Sequence, residues 1–254
     1  DGLGCIENCM ESDPPGSPTA GAQCEFTNLK MGIKSSGNST TKTERLGIRE
    51  CLFNNNLSSI DISSTQHNVI FRCDFVGVRS TINGLYVAKT GTNFCPYTSS
   101  TPISFIKTRF SSQVRIVDNE IDFDANKCTY ISVEGTGSLK SLIKANKIRN
   151  SNTGFGSGDD VIGIFATGNN SNLWIECNTF ENLTSDITND NLATLKSQDQ
   201  YGALHNGNVF MDYNGRSGCY NLSNFSSLFP VMNIPSSATF FKSTGGSGFP
   251  TISL

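Results

Sequence analysis

Short runs of alternating apolar and polar residues recur along the chain, and most of them end alike. The unit is apolar-x-apolar-x-x-(Asn or Cys)-x-(Phe or Ile). It reads Leu46-x-Ile48-x-x-Cys51-x-Phe53, then Ile70-x-x-Cys73-x-Phe75, then Val114-x-Ile116-x-x-Asn119-x-Ile121. Ile143-x-x-Asn146-x-Ile148 and Leu173-x-Ile175-x-x-Asn178-x-Phe180 follow, with partial copies at Cys24-x-Phe26 and Asn208-x-Phe210. The terminal apolar residues fall at 26, 53, 75, 121, 148, 180 and 210, so one step is of double length. Alternation with period two specifies a short strand, and each repeat has room for about three of them. A second alternating run lies between units: Ile60-x-Ile62, Leu85-x-Val87, Tyr130-x-x-Val133 and Val161-Ile162-x-Ile164. Turn residues such as Gly135 to Ser138 and Gly168 to Ser171 close these runs. A repeat of this length cannot bury its apolar face alone; it has to stack on its neighbours.

Ile103-x-Phe105-x-x-Thr108-x-Phe110 fits the pattern but precedes Ile121 too closely. It therefore belongs to another face of the same turn or to an inserted hairpin. The stretch after Cys219 carries no copy.

Composition narrows the class. Lys and Arg number 19 against 22 Asp and Glu, a net charge of -3, which excludes a basic nucleic-acid binder. Charged residues are only 16%, too few for a disordered or coiled-coil chain. The 27 asparagines and 24 glycines favour turns over helix. No apolar run approaches the ~20 residues of a membrane helix. Residue 1 is Asp and no charged-then-apolar leader follows, so the chain reads as a mature or excised segment. Nine cysteines without CxxC pairs, beside only two histidines, point to an oxidising compartment rather than a zinc site. Six Asn-x-Ser/Thr sequons, Asn56 and Asn182 among them, matter only in a eukaryotic secretory product.

The repeat resembles the right-handed parallel β-helix of pectate lyases, polygalacturonases and many phage and bacterial surface proteins, over roughly residues 20 to 215. The expected fold is an all-β solenoid of about seven or eight rungs. A leading segment spans 1–23, the β-helix 24–215, and a C-terminal cap or edge segment 216–254. The Asn before each terminal apolar residue resembles the stacked Asn ladder of that fold's internal turn, where side-chain amides satisfy one another and the bent backbone. Cys24, Cys51 and Cys73 occupy the same position. Neighbouring rungs bring their sulfurs within reach of a disulfide; stacked free thiols are the preferred alternative. Cys5 and Cys9, a CxxxC pair, are further disulfide candidates.

The same alignment of repeats tests the acidic run Asp118, Glu120, Asp122 and Asp124. It could hold Ca²⁺ by analogy with pectate lyases. Registering Ile121 on Ile148 instead sets Lys147 beside Glu120 and Arg149 beside Asp122, with Glu181 beside Arg149 one rung on, a structural charge ladder. No other cofactor is expected. Asp159 and Asp160 resemble the paired aspartates of polygalacturonases, which would make them general acid and base. That family's accompanying Asn-Thr-Asp, Gly-His-Gly and Arg-Ile-Lys segments are absent here, and an Asp-Asp turn opening a strand accounts for the pair without chemistry. Neither His67 nor His205 lies in a nucleophile motif. Tyr86, Tyr97, Tyr130 and Tyr201 are candidate sugar-stacking side chains. The sequence thus favours a secreted or cell-surface, non-catalytic module that contacts polysaccharide or neighbouring surface proteins. A polysaccharide lyase or glycoside hydrolase is the alternative.

Overall fold

The computed structural model describes residues 3–6, 24–37, 45–82, 85–90, 93–101, 103–152, 160–170, 172–189, 194–195, 209–211 and 220–221. Among them there is no helix; strands make three large sheets and one small two-stranded sheet. The chain enters the three large sheets in a fixed order. Arg45–Arg49, Cys51–Asn54 and Ser58–Ser63 contribute one strand to each. Val69–Phe71, Asp74–Ile82 and Ser104–Arg109 repeat the order, followed by Arg115–Val117, Glu120–Ala125 and Lys127–Glu134. Ser141–Lys144, Lys147–Asn150 and Asp160–Thr167 come next, then Leu173–Glu176, Thr179–Glu181 and Ser185–Asn189. All these strands pair in parallel, and Leu3–Ile6, within the leading segment, joins the first sheet beside Arg45–Arg49.

The register is the one that the repeat implies. In the second sheet Phe26, Phe53, Phe75, Ile121, Ile148, Phe180 and Phe210 are successive partners across neighbouring strands. In the first, Ile48, Ile70, Ile116, Ile143 and Ile175 align in the same way. The third aligns Ile33, Ile60, Ile106, Ile131, Ile164 and Ile187. From Phe53 to Phe180 the second column is fully buried. The rings of Phe26, Phe53 and Phe75 stack with centroids 4.9 and 4.8 Å apart, close to the separation of adjacent strands, so one repeat distance serves backbone and ring alike. Each buried Ile or Phe contributes about 1.5–3 kcal/mol.

The corner between the first and second sheets explains the conserved spacing within the unit. Glu50, Arg72, Asp118, Ala145 and Cys177 each take a left-handed backbone conformation there, with φ of 51°, 51°, 57°, 56° and 57°. Such a residue costs roughly 1–2 kcal/mol outside glycine. The following Asn offsets that cost. The Nδ2 of Asn119 donates to Asn146 Oδ1 at 2.8 Å, and that of Asn146 to Asn178 Oδ1 at 2.9 Å. The same Nδ2 atoms donate to the carbonyls of Ile70 and Ile116, and Asn178 Nδ2 donates to Ile143 O. At this position Cys73 places Sγ 3.8 Å from Ile48 O, the equivalent carbonyl one turn earlier. The thiol is thus a weak stand-in for the amide.

Four particulars depart from the sequence reading or complete it. Leu85–Thr90 is not a strand of the third sheet. It forms an antiparallel hairpin with Asn93–Ser99 and pairs back on Asp74–Ile82. That insertion produces the double-length step, and Ser104–Arg109 supplies the third-sheet strand. Cys51 and Cys73 both remain thiols, so no disulfide joins any two of Cys24, Cys51 and Cys73; Cys24 is itself disulfide-bonded, but to neither of these two. Parallel register aligns their Cα atoms without turning the sulfurs into bonding geometry. Arg79, which the pattern did not single out, is buried, its guanidinium 4.5 Å from the Phe105 ring and 4.8 Å from that of Phe123. It donates to the Asn56 and Val78 carbonyls.

The acidic run behaves as the aligned repeats require. Lys147 Nζ lies 2.9 Å from Glu120 Oε1, and Arg149 pairs with Asp122. Arg149 is also in register with Glu181. Both partners of the Lys147–Glu120 bridge are half-exposed. Substituting Lys147→Gln is therefore expected to cost less than about 1 kcal/mol in urea unfolding. A larger loss would mean that the outer ladder, rather than the core, holds the sheets together.

Candidate functional site

Two of the sequence candidates meet in one hollow on the outer side of the third sheet. It has a volume of about 180 Å³ and is lined by Tyr86, Lys127, Cys128, Thr129, Asp160, Ile162 and Phe165. Strands Lys127–Glu134 and Asp160–Thr167 form its floor, with Lys127 and Asp160 as direct cross-strand partners at the strand starts. The Asp160 amide donates to Asn126 O at 2.9 Å, which fixes where that strand begins. Tyr86 arrives from the inserted hairpin, half-buried and packed against Leu57, Ala88 and Ile103. Asp160 and Lys127 are exposed.

The Cys128 thiol, at the buried edge of the hollow, is pushed up by burial. It stays protonated at neutral pH and is a poor nucleophile. The described lining residues therefore offer one carboxylate, one ammonium, one phenol and an apolar floor. They can hydrogen-bond and stack against a polar ligand. They supply one carboxylate where an inverting glycosidase needs two flanking a bond. Asp159 lies outside the described residues, as do Tyr201, His205 and Cys9.

Tyr97, on the second strand of the hairpin, is exposed and does not line the hollow. Tyr130 is a correction. It is fully buried, donates to Phe123 O at 3.4 Å, and packs tilted against Phe105 and Phe123. A tyrosine in the core cannot stack on a sugar. The sequence reading missed Lys127, Thr129 and Phe165, because nothing in the repeat reveals where the hairpin folds back.

The other candidates disperse. Asp118 is bound to Arg72 at 3.0 Å, while Glu120 and Asp122 are occupied by Lys147 and Arg149. Among the described residues no group of three or more His, Cys, Asp or Glu side chains is placed to hold a metal ion. The sequon residues Asn56 and Asn182 are buried, with Nδ2 donating to Phe26 O and Asn150 O respectively, so neither presents its amide for glycosylation.

For the free thiols, the hydrogen bond with Cys51 and burial together push Cys73 well above the ordinary cysteine range. Cys177 is only half-buried, although desolvation raises it too. The Cys51–Cys73 hydrogen bond draws the Cys51 thiol down, but Cys51 and Cys73 are both fully buried, so access decides. Alkylation of the native protein followed by peptide mass mapping is expected to label Cys177 well before either. Equal rates at all three would mean that the core column opens to solvent.

No protein-family model, curated protein or solved structure matches the chain.

Proposed function

We propose that this chain is a right-handed parallel β-helix of about seven or eight turns, of the pectate-lyase-like kind. It acts as a secreted or cell-surface, non-catalytic module for adhesion, scaffolding or glycan contact. The fixed order in which the chain enters three parallel sheets, with three apolar columns in register, supports the architecture. Cysteine content without zinc spacing supports the oxidising, extracellular location.

One observation carries the non-catalytic reading. Outward carboxylates are tied to cations on neighbouring strands: Glu120 to Lys147, Asp122 to Arg149, Glu176 to Lys144 and Asp61 to Arg109. Carboxylates distributed along a wall in this way stabilise a surface and do not converge on one bond. The alternative, a polysaccharide lyase or glycoside hydrolase, is favoured only by the hollow that gathers Asp160, Lys127 and Tyr86. Incubation with a panel of neutral and acidic polysaccharides separates the two. The expected result is no release of reducing ends or unsaturated products above the blank. Release that disappears in Asp160→Asn would replace this reading with the enzymatic one.

A further inference from the structure

The outer face of the first sheet differs in charge from the rest of this acidic chain. Between the buried Ile70, Ile116, Ile143 and Ile175, the outward positions Val69, Arg115, Leu142 and Trp174 form a single row of cross-strand partners over four strands. At strand spacing the row runs for about 14 Å along the stacking direction. A groove of about 410 Å³ opens on it, lined by His67, Val69, Gln113, Arg115, Lys140 and Leu142.

The cations here are not neutralised. Arg115 is exposed and has no ion-pair or side-chain hydrogen-bond partner among the described residues. Lys140 Nζ lies 4.6 Å from the centroid of the Trp174 ring. The indole is held in place because its Nε1 donates to Asn172 Oδ1 at 2.9 Å, while Asn172 Nδ2 donates to Ser138 O. The nearest outward carboxylate along the same strands, Glu176, is bound to Lys144. Asp118, at the following corner, is bound to Arg72.

We infer that this groove binds a linear anionic glycan through its sulfate or carboxylate groups. Arg115 and Lys140 take the anionic groups, and the aliphatic and indole floor lies under the sugar rings. A ligand that presents charge and apolar C–H faces in alternation along one axis fits a row that offers both. A nucleic acid fits less well, because two to three cations on a chain of net charge -3 give little counterion release. The choice of a glycan rests on the surface-module reading above. The groove itself lies on a different sheet from the Asp160 hollow.

Trp174 is the only tryptophan, and with the Lys140 ammonium over its ring it reports on the site directly. The full chain is titrated by tryptophan emission, and in parallel by calorimetry, with a sulfated oligosaccharide, an oligouronate and neutral dextran of similar length. The expected result is saturable binding of at least one anionic probe and none of dextran, weakened by added salt. Which anionic arm binds identifies the group. Arg115→Gln and Lys140→Gln should each raise Kd at least about tenfold while retaining the wild-type thermal midpoint. Absence of binding to both anionic probes, or an unchanged Kd in both variants, would overturn the inference. So would tighter binding of single-stranded DNA of equal charge. None of these outcomes involves product release, so the inference can fail while the non-catalytic reading stands, and the reverse also holds.

Discussion

Asn146→Ala is expected to lower the free energy of unfolding by about 3–5 kcal/mol, at roughly 1–3 kcal/mol for each buried group left without a partner. The residue sits at the centre of the corner ladder. Its Oδ1 accepts from both the backbone N and the Nδ2 of Asn119, at 3.1 and 2.8 Å. Its Nδ2 donates to Asn178 Oδ1 and to Ile116 O, both at 2.9 Å. Alanine leaves those groups buried and unpaired, while Ala145 must still hold φ at 56°. Asn146→Cys should cost less, since Cys51 and Cys73 occupy the same corner position in other turns and the Cys73 thiol approaches the equivalent carbonyl. Urea unfolding of the three proteins should rank wild type above Cys and Cys above Ala. Ala and wild type of equal stability would show that the amide column plays no part in holding the corner.

Phe53→Ala is expected to cost about 3–5 kcal/mol for a different reason, the loss of apolar contact and the cavity left behind. Phe53 is fully buried between Phe26 and Phe75, with ring planes within 9° and 5° of parallel. Its ring also fills the space next to Gly32, where a Cβ would lie 3.1 Å from Phe53 and 2.6 Å from Ser59 O. The strand Met31–Ser36 is thereby held close to Ser58–Ser63. Phe53→Leu retains most of that contact and should lose much less. Thermal denaturation provides the check, and a Phe53→Ala midpoint within a degree or two of wild type would contradict a tightly packed ring column.

The contrast with the surface is instructive. Lys147 is as regularly registered as Asn146, yet its ion pair is half-exposed and substitution there should be close to neutral. Regular repetition alone does not make a position important for stability; burial without an alternative partner does.

Register and corner were legible because they repeat. Alternation selects the inward side, the invariant spacing from Asn or Cys to Phe or Ile aligns one turn on the next, and the pairing of Glu120 with Lys147 follows by counting. The inserted hairpin was not legible, because Leu85-x-Val87 has the same alternation as a strand of the third sheet. Only its antiparallel partner Asn93–Ser99 tells them apart. Tyr130 and Arg79 were misplaced or missed for a related reason. Both carry polar ends that mark them as surface residues on composition, yet Tyr130 finds Phe123 O and Arg79 finds two carbonyls and two aromatic faces inside. The Asp160 hollow was half visible: its carboxylate and Tyr86 were nameable, their meeting was not. The Arg115 groove left no trace in any one repeat, since Arg115, Lys140 and Trp174 come from separate turns and converge only when the strands are stacked.

Selective methyl labelling of isoleucine, with cross-relaxation measured between methyl groups in solution, probes the stacking most directly. Strong cross-peaks are expected between Ile121 and Ile148, between Ile70 and Ile116, and between Ile116 and Ile143, all of them cross-strand partners. Their absence, with these methyl groups accessible to a soluble paramagnetic agent, would contradict the in-register core and with it the proposed β-helix.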